Sequence, residues 1–249
     1  MMLEVRNVSV AFGGVQAVSG VSIAIVQGDL LGLIGPNGAG KTTFLRIVAG
    51  IIRPDAGSIR LAGRDITRTA IHQRARMGMA LTHQIVRPFR SMTLLENVMV
   101  AAAPAITRTP WTAMLHIDRA ETRRKAFALL ERFGIADGAD RPAGVLPLGY
   151  LKRMQVARAL AFDPDLLMLD EPLAGLNHAE AARLADLIGE LHREGRTIML
   201  VEHNIAEVVR IAKRLAILHN GALLAEGLPA TVIARDDVRA AYLGKVKHA

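Results

Sequence analysis

Apolar and polar positions alternate along the chain in two rhythms, short apolar runs and longer stretches of helical spacing. Residues 3–10 alternate as a strand does, and residues 21–26 (VSIAIV) make a second. The stretch between them, AFGGVQAV, reads as a loop holding Gly13 and Gly14. Residues 29–34 are short and apolar, as a buried parallel strand is. Phe44, Leu45, Ile47 and Val48 then fall at helical spacing, and Gly50 stops them. Residues 51–66 predict a turn, a short strand and another turn, and 77–82 (MGMALT) predict a strand.

Residues 98–117, with Pro104, Pro110 and Trp111, are poorly periodic and read as a partly helical insertion. A clear helix is expected over 118–134. Asp118 would be its N-cap with Glu121 three places on, Ala126, Leu129, Leu130 and Phe133 its buried stripe, and Gly134 its stop. Residues 134–147 predict a loop, 149–161 a helix, and 164–172 (PDLLMLDEP) a short strand. Asn177 precedes a helix carrying Leu184, Leu187, Ile188 and Leu191 on one face, with Gly195 as its stop, and 197–201 (TIMLV) form another buried strand. Two runs flanking His219-Asn220-Gly221 suggest a hairpin, and a short helical tail covers 229–244. No internal repeat is present.

Composition narrows the reading only a little. The 249 residues allow one large domain, or a core with a subdomain. With 31 Lys and Arg against 23 Asp and Glu, the net charge is +8. Such an excess suits nucleic acid, anionic lipid or nucleotide, and equally an Arg-rich solvated surface, the reading preferred here. No dense basic run is interleaved with aromatics. The chain has no cysteine, which removes disulfides and thiolate metal sites and suits a reducing compartment. The opening MMLEVRNVSV lacks the layout of a signal peptide, and no apolar run approaches the roughly 18 residues of a membrane span.

Candidate chemistry concentrates in residues 35–43, GPNGAGKTT, which fit G-x-x-x-x-G-K-[ST]. A strand, a glycine loop and a helix start direct backbone N–H groups and the positive end of a helix dipole at one point, which suits a phosphate. Lys41 can reach the β- and γ-phosphates, and the Thr42 hydroxyl can ligate Mg²⁺. Asp170 and Glu171 end an apolar strand, where ligands bind in open α/β sheets. Asp170 suits a Mg²⁺ shell, and Glu171 suits orienting and deprotonating water. Gln84 follows a strand directly. Phe12 can stack on a purine or serve as a core aromatic, and His203 can meet a γ-phosphate or be an ordinary surface or core group.

The order of these pieces resembles an ATP-binding cassette subunit over nearly the whole chain. FGGVQAV, MTLLENV, DEPLAGLN, VEHN and the ending VRAAYLG look most like the ATPase subunits of branched-chain amino acid type importers, and the 98–125 insertion resembles the longer of their two ATPases. The resemblance implies an α/β fold of the P-loop NTPase (ABC ATPase) type. It would have a mixed sheet, an antiparallel β-subdomain and a helical subdomain inserted at about 86–161 of a single domain spanning 1–249. Phe12 and Val18 would pack on adenine. Gly35, Pro36, Asn37, Gly38, Ala39, Gly40, Lys41, Thr42 and Thr43 would hold the phosphates of ATP. Thr42, Gln84 and Asp170 would serve Mg²⁺, Glu171 would be the general base, and His203 would contact the γ-phosphate.

Residues 85–97 would belong to a groove receiving a cytoplasmic helix of a transmembrane partner. The implied partners are a second ATPase subunit, identical or different, two permeases and, indirectly, a solute-binding protein, with no nucleic acid. The implied place is peripheral, on the cytoplasmic face of the inner membrane.

One departure stands out. Where the family's signature helix opens LSGGQ, or carries tyrosine at the third place, this chain has Leu146-Pro147-Leu148-Gly149-Tyr150. Pro147 suits a helix start but offers no hydroxyl. The family's Asp before the next helix is Asn177 here, which serves equally as an N-cap. Two other readings remain open at this point: a soluble cassette protein acting on nucleic acid or ribosomes, and a regulatory module that holds ATP and hydrolyses it weakly.

Overall fold

The computed structural model describes residues 1–102 and 119–243. The expectations placed on Pro104, Pro110, Trp111, Asp118 and Gly244 lie outside the described residues. In chain order the elements are β1 (Leu3–Phe12), β2 (Val15–Ile25), β3 (Leu30–Ile34), α1 (Lys41–Ala49), β4 (Ala56–Leu61), β5 (Arg64–Asp65), α2 (Ile71–Arg76), β6 (Met79–Leu81) and α3 (Leu94–Ala102). They continue with α4 (Arg119–Arg132), α5 (Leu148–Leu160), β7 (Leu166–Asp170), α6 (His178–Arg193), β8 (Thr197–Val201), α7 (Ile205–Ile211), β9 (Arg214–His219), β10 (Ala222–Gly227), α8 (Pro229–Ile233) and α9 (Asp236–Leu243).

Two sheets result. One is antiparallel in the order β2-β1-β4-β5; the other is mixed, in the order β10-β9-β3-β8-β7-β6, with only β10 running antiparallel to its neighbour. Alternation along the central strands divides the core. Leu31, Leu33, Met168, Met199 and Val201 join α1 and the antiparallel sheet on one face. Leu30, Ile34, Leu167, Leu169, Ile198 and Leu200 join helices α3 to α7 on the other. Asp29, fully buried at the entrance to β3, is held by Arg214 at 2.7 Å, and Arg214 also bonds Glu226.

The stretch expected to be a loop between the first two strands is instead a tight hairpin. β1 runs on through Phe12, β2 starts at Val15, and Gly13 and Gly14 turn the chain with φ of 53° and 83°. Glycine takes such left-handed values freely, and the Asn220-Gly221 turn uses nearly the same pair, φ 48° and 78°. The helix expected somewhere in 98–117 begins earlier, at Leu94. Thr93 and Glu96 form a reciprocal cap: the Glu96 N–H donates to Thr93 Oγ1 at 3.1 Å, and the Thr93 N–H donates to the Glu96 carboxylate at 2.7 Å. The expected tail helix is two helices, α8 and α9. The hairpin at Asn220-Gly221 and the helix behind Asn177 form as the pattern predicts.

Candidate functional site

Five loops meet at the carboxyl edge of the mixed sheet. β3 delivers residues 35–43, β6 delivers Gln84, β7 delivers Asp170 and Glu171, and β8 delivers Glu202 and His203. The β1–β2 hairpin of the other sheet leans over them. A cleft of about 640 Å³ is lined by Val15, Gln16, Ala17, the loop from Asn37 to Thr43, Gln84, Glu171 and His203.

The loop is shaped for an anion. Gly40 caps α1 in a left-handed conformation, φ 95°, and no side chain caps the helix. A Cβ at Gly40 would overlap the Ala17 carbonyl oxygen, so only glycine lets the loop pass beneath the hairpin. The first N–H groups of α1 therefore face the cleft with the helix dipole behind them. The far end of α1 is closed by Arg74, almost fully buried, which donates to the carbonyls of Ile47 at 3.0 Å and Val48 at 2.6 Å.

Lys41 is buried, and its ammonium donates to the carbonyls of Gly35 at 2.7 Å and Pro36 at 3.1 Å. Burial lowers its pKa, while Glu171, Asp170 and Glu202 act against that shift. The cation thus rests on the loop in the field of three carboxylates, and an incoming phosphate can draw it off two neutral acceptors.

Asp170 lies beneath the loop, 4% exposed, with its N–H on Thr82 Oγ1 at 3.1 Å. Burial, and then the charge of Glu171, push its pKa up to about 6; Arg46, the Thr42 hydroxyl and Lys152 pull the other way. Its Oδ1 is buried without a hydrogen-bond partner. A buried carboxylate with an orphan oxygen beside a threonine hydroxyl is a donor set that fits a hard divalent cation such as Mg²⁺.

Glu171 takes a left-handed backbone, φ 47°, unusual for a non-glycine residue and typical of functional turns. Its N–H donates to Val201 O at 2.9 Å. Gln84 Nε2 donates to its carboxylate at 2.6 Å, and His203 Nδ1 stands 3.8 Å from the same oxygen. The structure therefore brings Gln84, Glu171 and His203 together at the mouth of the cleft, with Asp170 and Thr42 deeper.

Two expectations change. Val18 is fully buried in the core and offers no surface to a base; Val15, Gln16 and Ala17 line the cleft instead. Phe12 is not a core aromatic: it is 50% exposed, at the end of β1 and outside the cleft's lining.

Sequence reasoning passed over two supporting groups. Glu202, fully buried, accepts from the N–H groups of Leu173 at 2.7 Å and His203 at 3.1 Å, tying the turn after Glu171 to the end of β8; burial raises its pKa. Lys152 of α5, 3% exposed, donates to the carbonyls of Gln84 at 3.0 Å and Glu171 at 2.9 Å. Glu202 is foreshadowed by its place at a strand end beside His203; nothing in the sequence points to Lys152.

A hollow of about 430 Å³ lies on the helical side. Its walls include Ile71, Phe89, Val100 and Phe162, together with His83, Arg87 and Arg158. The first four are 42–57% exposed, an apolar surface with a basic rim.

A family model described as ABC transporter matches residues 18–174. The chain is 38% identical to the high-affinity branched-chain amino acid transport ATP-binding protein LivG of Salmonella typhimurium, over 98% of each chain. It is equally similar, 38% over 98% of each, to the protein of the same description, BraF, from Pseudomonas aeruginosa. Among solved structures, the ADP conformation of an ATP-binding cassette of an ABC transporter is 30% identical, with a TM-score of 0.85 over 98% of this chain and 99% of that one.

Proposed function

The chain belongs to the ABC transporter family, and from that premise we propose that it is the ATP-hydrolysing subunit of an importer for branched-chain amino acids or similar small polar solutes. It works peripherally at the cytoplasmic face of the inner membrane, paired with a second ATPase subunit and seated on two permeases that a solute-binding protein serves. Among the described residues no helix is long and apolar enough to cross a membrane. The observation that carries the reading is the meeting of the loop that ends at Thr43 with Gln84, Glu171 and His203 in one cleft, over the buried Asp170. LivG and BraF, similar over nearly their whole length, are described as transport ATP-binding proteins, so the nucleic-acid reading is not favoured.

In this reading the α1 N–H groups, Lys41 and Thr43 hold the phosphates of ATP. The adenine lies against Val15, Gln16 and Ala17, with Phe12 beyond. Thr42, Asp170 and Gln84 would hold Mg²⁺, which when bound neutralises phosphate charge. Glu171 takes a proton from water as it attacks the γ-phosphorus. Gln84 keeps the carboxylate in place, and His203 meets the γ-phosphate oxygens. The apolar hollow with its basic rim, next to residues 85–97, receives a cytoplasmic helix of a permease.

The test is assembly with two candidate permeases and a solute-binding protein, followed by ATPase assay in proteoliposomes. Leucine-loaded binding protein should stimulate turnover several-fold, and Glu171→Gln should abolish it while ATP still binds. Failure of every small amino acid or amide to stimulate would remove the solute assignment. Undiminished turnover in Glu171→Gln would remove the catalytic one.

A further inference from the structure

Helix α5 presents a row of donors at spacing three, Lys152, Gln155 and Arg158, which places them on one side. All three grip backbone carbonyls of the segment that follows β6. Lys152 takes Gln84, Gln155 takes His83 at 2.6 Å, and Arg158 takes Arg87 at 3.4 Å. Lys152 differs from the other two in also reaching across to the Glu171 carbonyl. A lysine whose role is only to cover apolar surface sends its head group to water. Here the head group is buried with the stem, and among the described residues Lys152 forms no ion pair.

The arrangement closes a ring. Gln84 and Glu171 meet through their side chains at 2.6 Å, and their backbones meet through the ammonium of Lys152. Glu171 is also the residue held in a left-handed backbone. Its N–H is fixed by Val201 and its carbonyl by Lys152, so the two anchors together set where its carboxylate points. Releasing the carbonyl would let the peptide relax and the carboxylate drift from the attacking water.

We propose that Lys152 is a positioning residue for hydrolysis, which fixes the Glu171 carboxylate by gripping the backbones of both partners in the Gln84–Glu171 hydrogen bond. This rests on the reading of Glu171 as the group that activates water. It adds that a buried cation outside the phosphate loop governs that group without touching ATP.

The experiment is steady-state ATPase and equilibrium nucleotide binding on the full chain carrying Lys152→Met, Lys152→Gln, Glu171→Gln, or Lys152→Met with Glu171→Gln. A displacement on the order of 1 Å costs roughly 100-fold in rate. Lys152→Met should therefore lower kcat about 10- to 100-fold, with KM and the ATP dissociation constant within about twofold of the unaltered chain. Lys152→Gln, which keeps a donor on a shorter stem, should recover part of the loss. Groups that act as a unit are not additive, so the double variant should be no slower than Glu171→Gln.

If Glu171→Gln keeps full turnover, the underlying reading falls and the Lys152 role with it. If Glu171→Gln stops turnover while Lys152→Met runs within twofold of normal, the Lys152 proposal alone is overturned. Loss of ATP affinity in step with kcat, or an additive loss in the double variant, marks a structural prop and overturns it too. Should Lys152→Met fail to fold, Lys152→Gln carries the same comparison of kcat with binding.

Discussion

Two helix starts carry the chemistry expected of this family, and they are built differently. α1 begins at Gly40 and α5 at Pro147, and neither has a side-chain cap. α6, by contrast, caps itself: Asn177 accepts from the Glu180 N–H at 2.9 Å, and the Glu180 carboxylate accepts from the Asn177 N–H at 3.2 Å. An uncapped start leaves its first N–H groups for something outside the helix. At α1 everything around those groups favours an anion: glycine backbone, Lys41, Thr42, and a Mg²⁺-type carboxylate behind. At α5 the neighbours are an exposed proline and Leu148, which is 43% exposed. Openness at a helix end is therefore common to both; a cation and a hydroxyl donor are present only at α1, while at α5 the Glu180 carboxylate lies against Gly149.

The largest effect should come from stripping α1 of its charge. Lys41→Ala removes the only loop cation, and loss of one preorganised donor to a transition-state anion costs about 10²- to 10³-fold. Turnover of Mg-ATP by the full chain should fall by at least that much. A loss below tenfold would mean that the α1 start differs from α5 in shape alone.

Next is pH, acting through Asp170 behind the same loop. Its folded pKa is raised to about 6, so burial disfavours the charged form. The sign follows: between the ordinary carboxylate value and about 6 the folded chain binds a proton that the unfolded chain does not. Intrinsic stability therefore falls as pH rises through that window. Bound Mg²⁺ offsets the cost above it. Mg²⁺-dependent ATP affinity should weaken by up to about tenfold per pH unit below 6 from this group, and Asp170→Asn should flatten the profile. Titration calorimetry of ATP with and without Mg²⁺ at pH 5.5 and 7.5 checks it; an equal Mg²⁺ effect at both values would contradict it.

The capped helix supplies the contrast. Asn177→Ala should cost about 1 kcal/mol of stability, which lowers Tm by about 2–4 °C in a chain of this size. The ATP affinity of the chain should not change. If affinity fell and Tm did not, the division between self-capped and ligand-facing helix starts would be wrong.

This contrast is partly legible in the sequence. GPNGAGKTT, Asp170-Glu171 and Asn177 are local signals whose meaning survives without tertiary context. Val18 was misplaced because alternation along β2 decides which neighbour faces the cleft, and one residue of register turns Ala17 outward and Val18 inward. The Gly13-Gly14 hairpin was hidden because strand continuation on both sides of a two-residue turn looks like a glycine loop. The Thr93–Glu96 cap was overlooked inside an irregular stretch although its spacing is local. Lys152 was out of reach for a different reason: its partners lie 68 and 19 residues away and are carbonyls, which every residue possesses.

With a partner of different sequence, the smallest effect comes from α5 itself. The resemblance implies that each ATP lies between the phosphate loop of one ATPase and the signature helix of the other. Pro147 would then weaken only the site that this chain completes for its partner. Pro147→Ser returns a hydroxyl at the exposed helix start, a donor whose absence costs about 2.7–4 kcal/mol where such donors act on a transition state. With a partner of different sequence, the site formed on this chain's own loop already runs at full rate. Restoring the second site then raises total turnover by at most about twofold, because one working site becomes two. With a second copy of this chain as partner, both sites meet Pro147, and the same substitution should raise turnover by about 10²-fold. ATPase rates of the reconstituted transporter thus report what the chain pairs with as well as what Pro147 does. An unchanged rate would show that α5 needs no hydroxyl, and that its bare N–H groups suffice as those of α1 do.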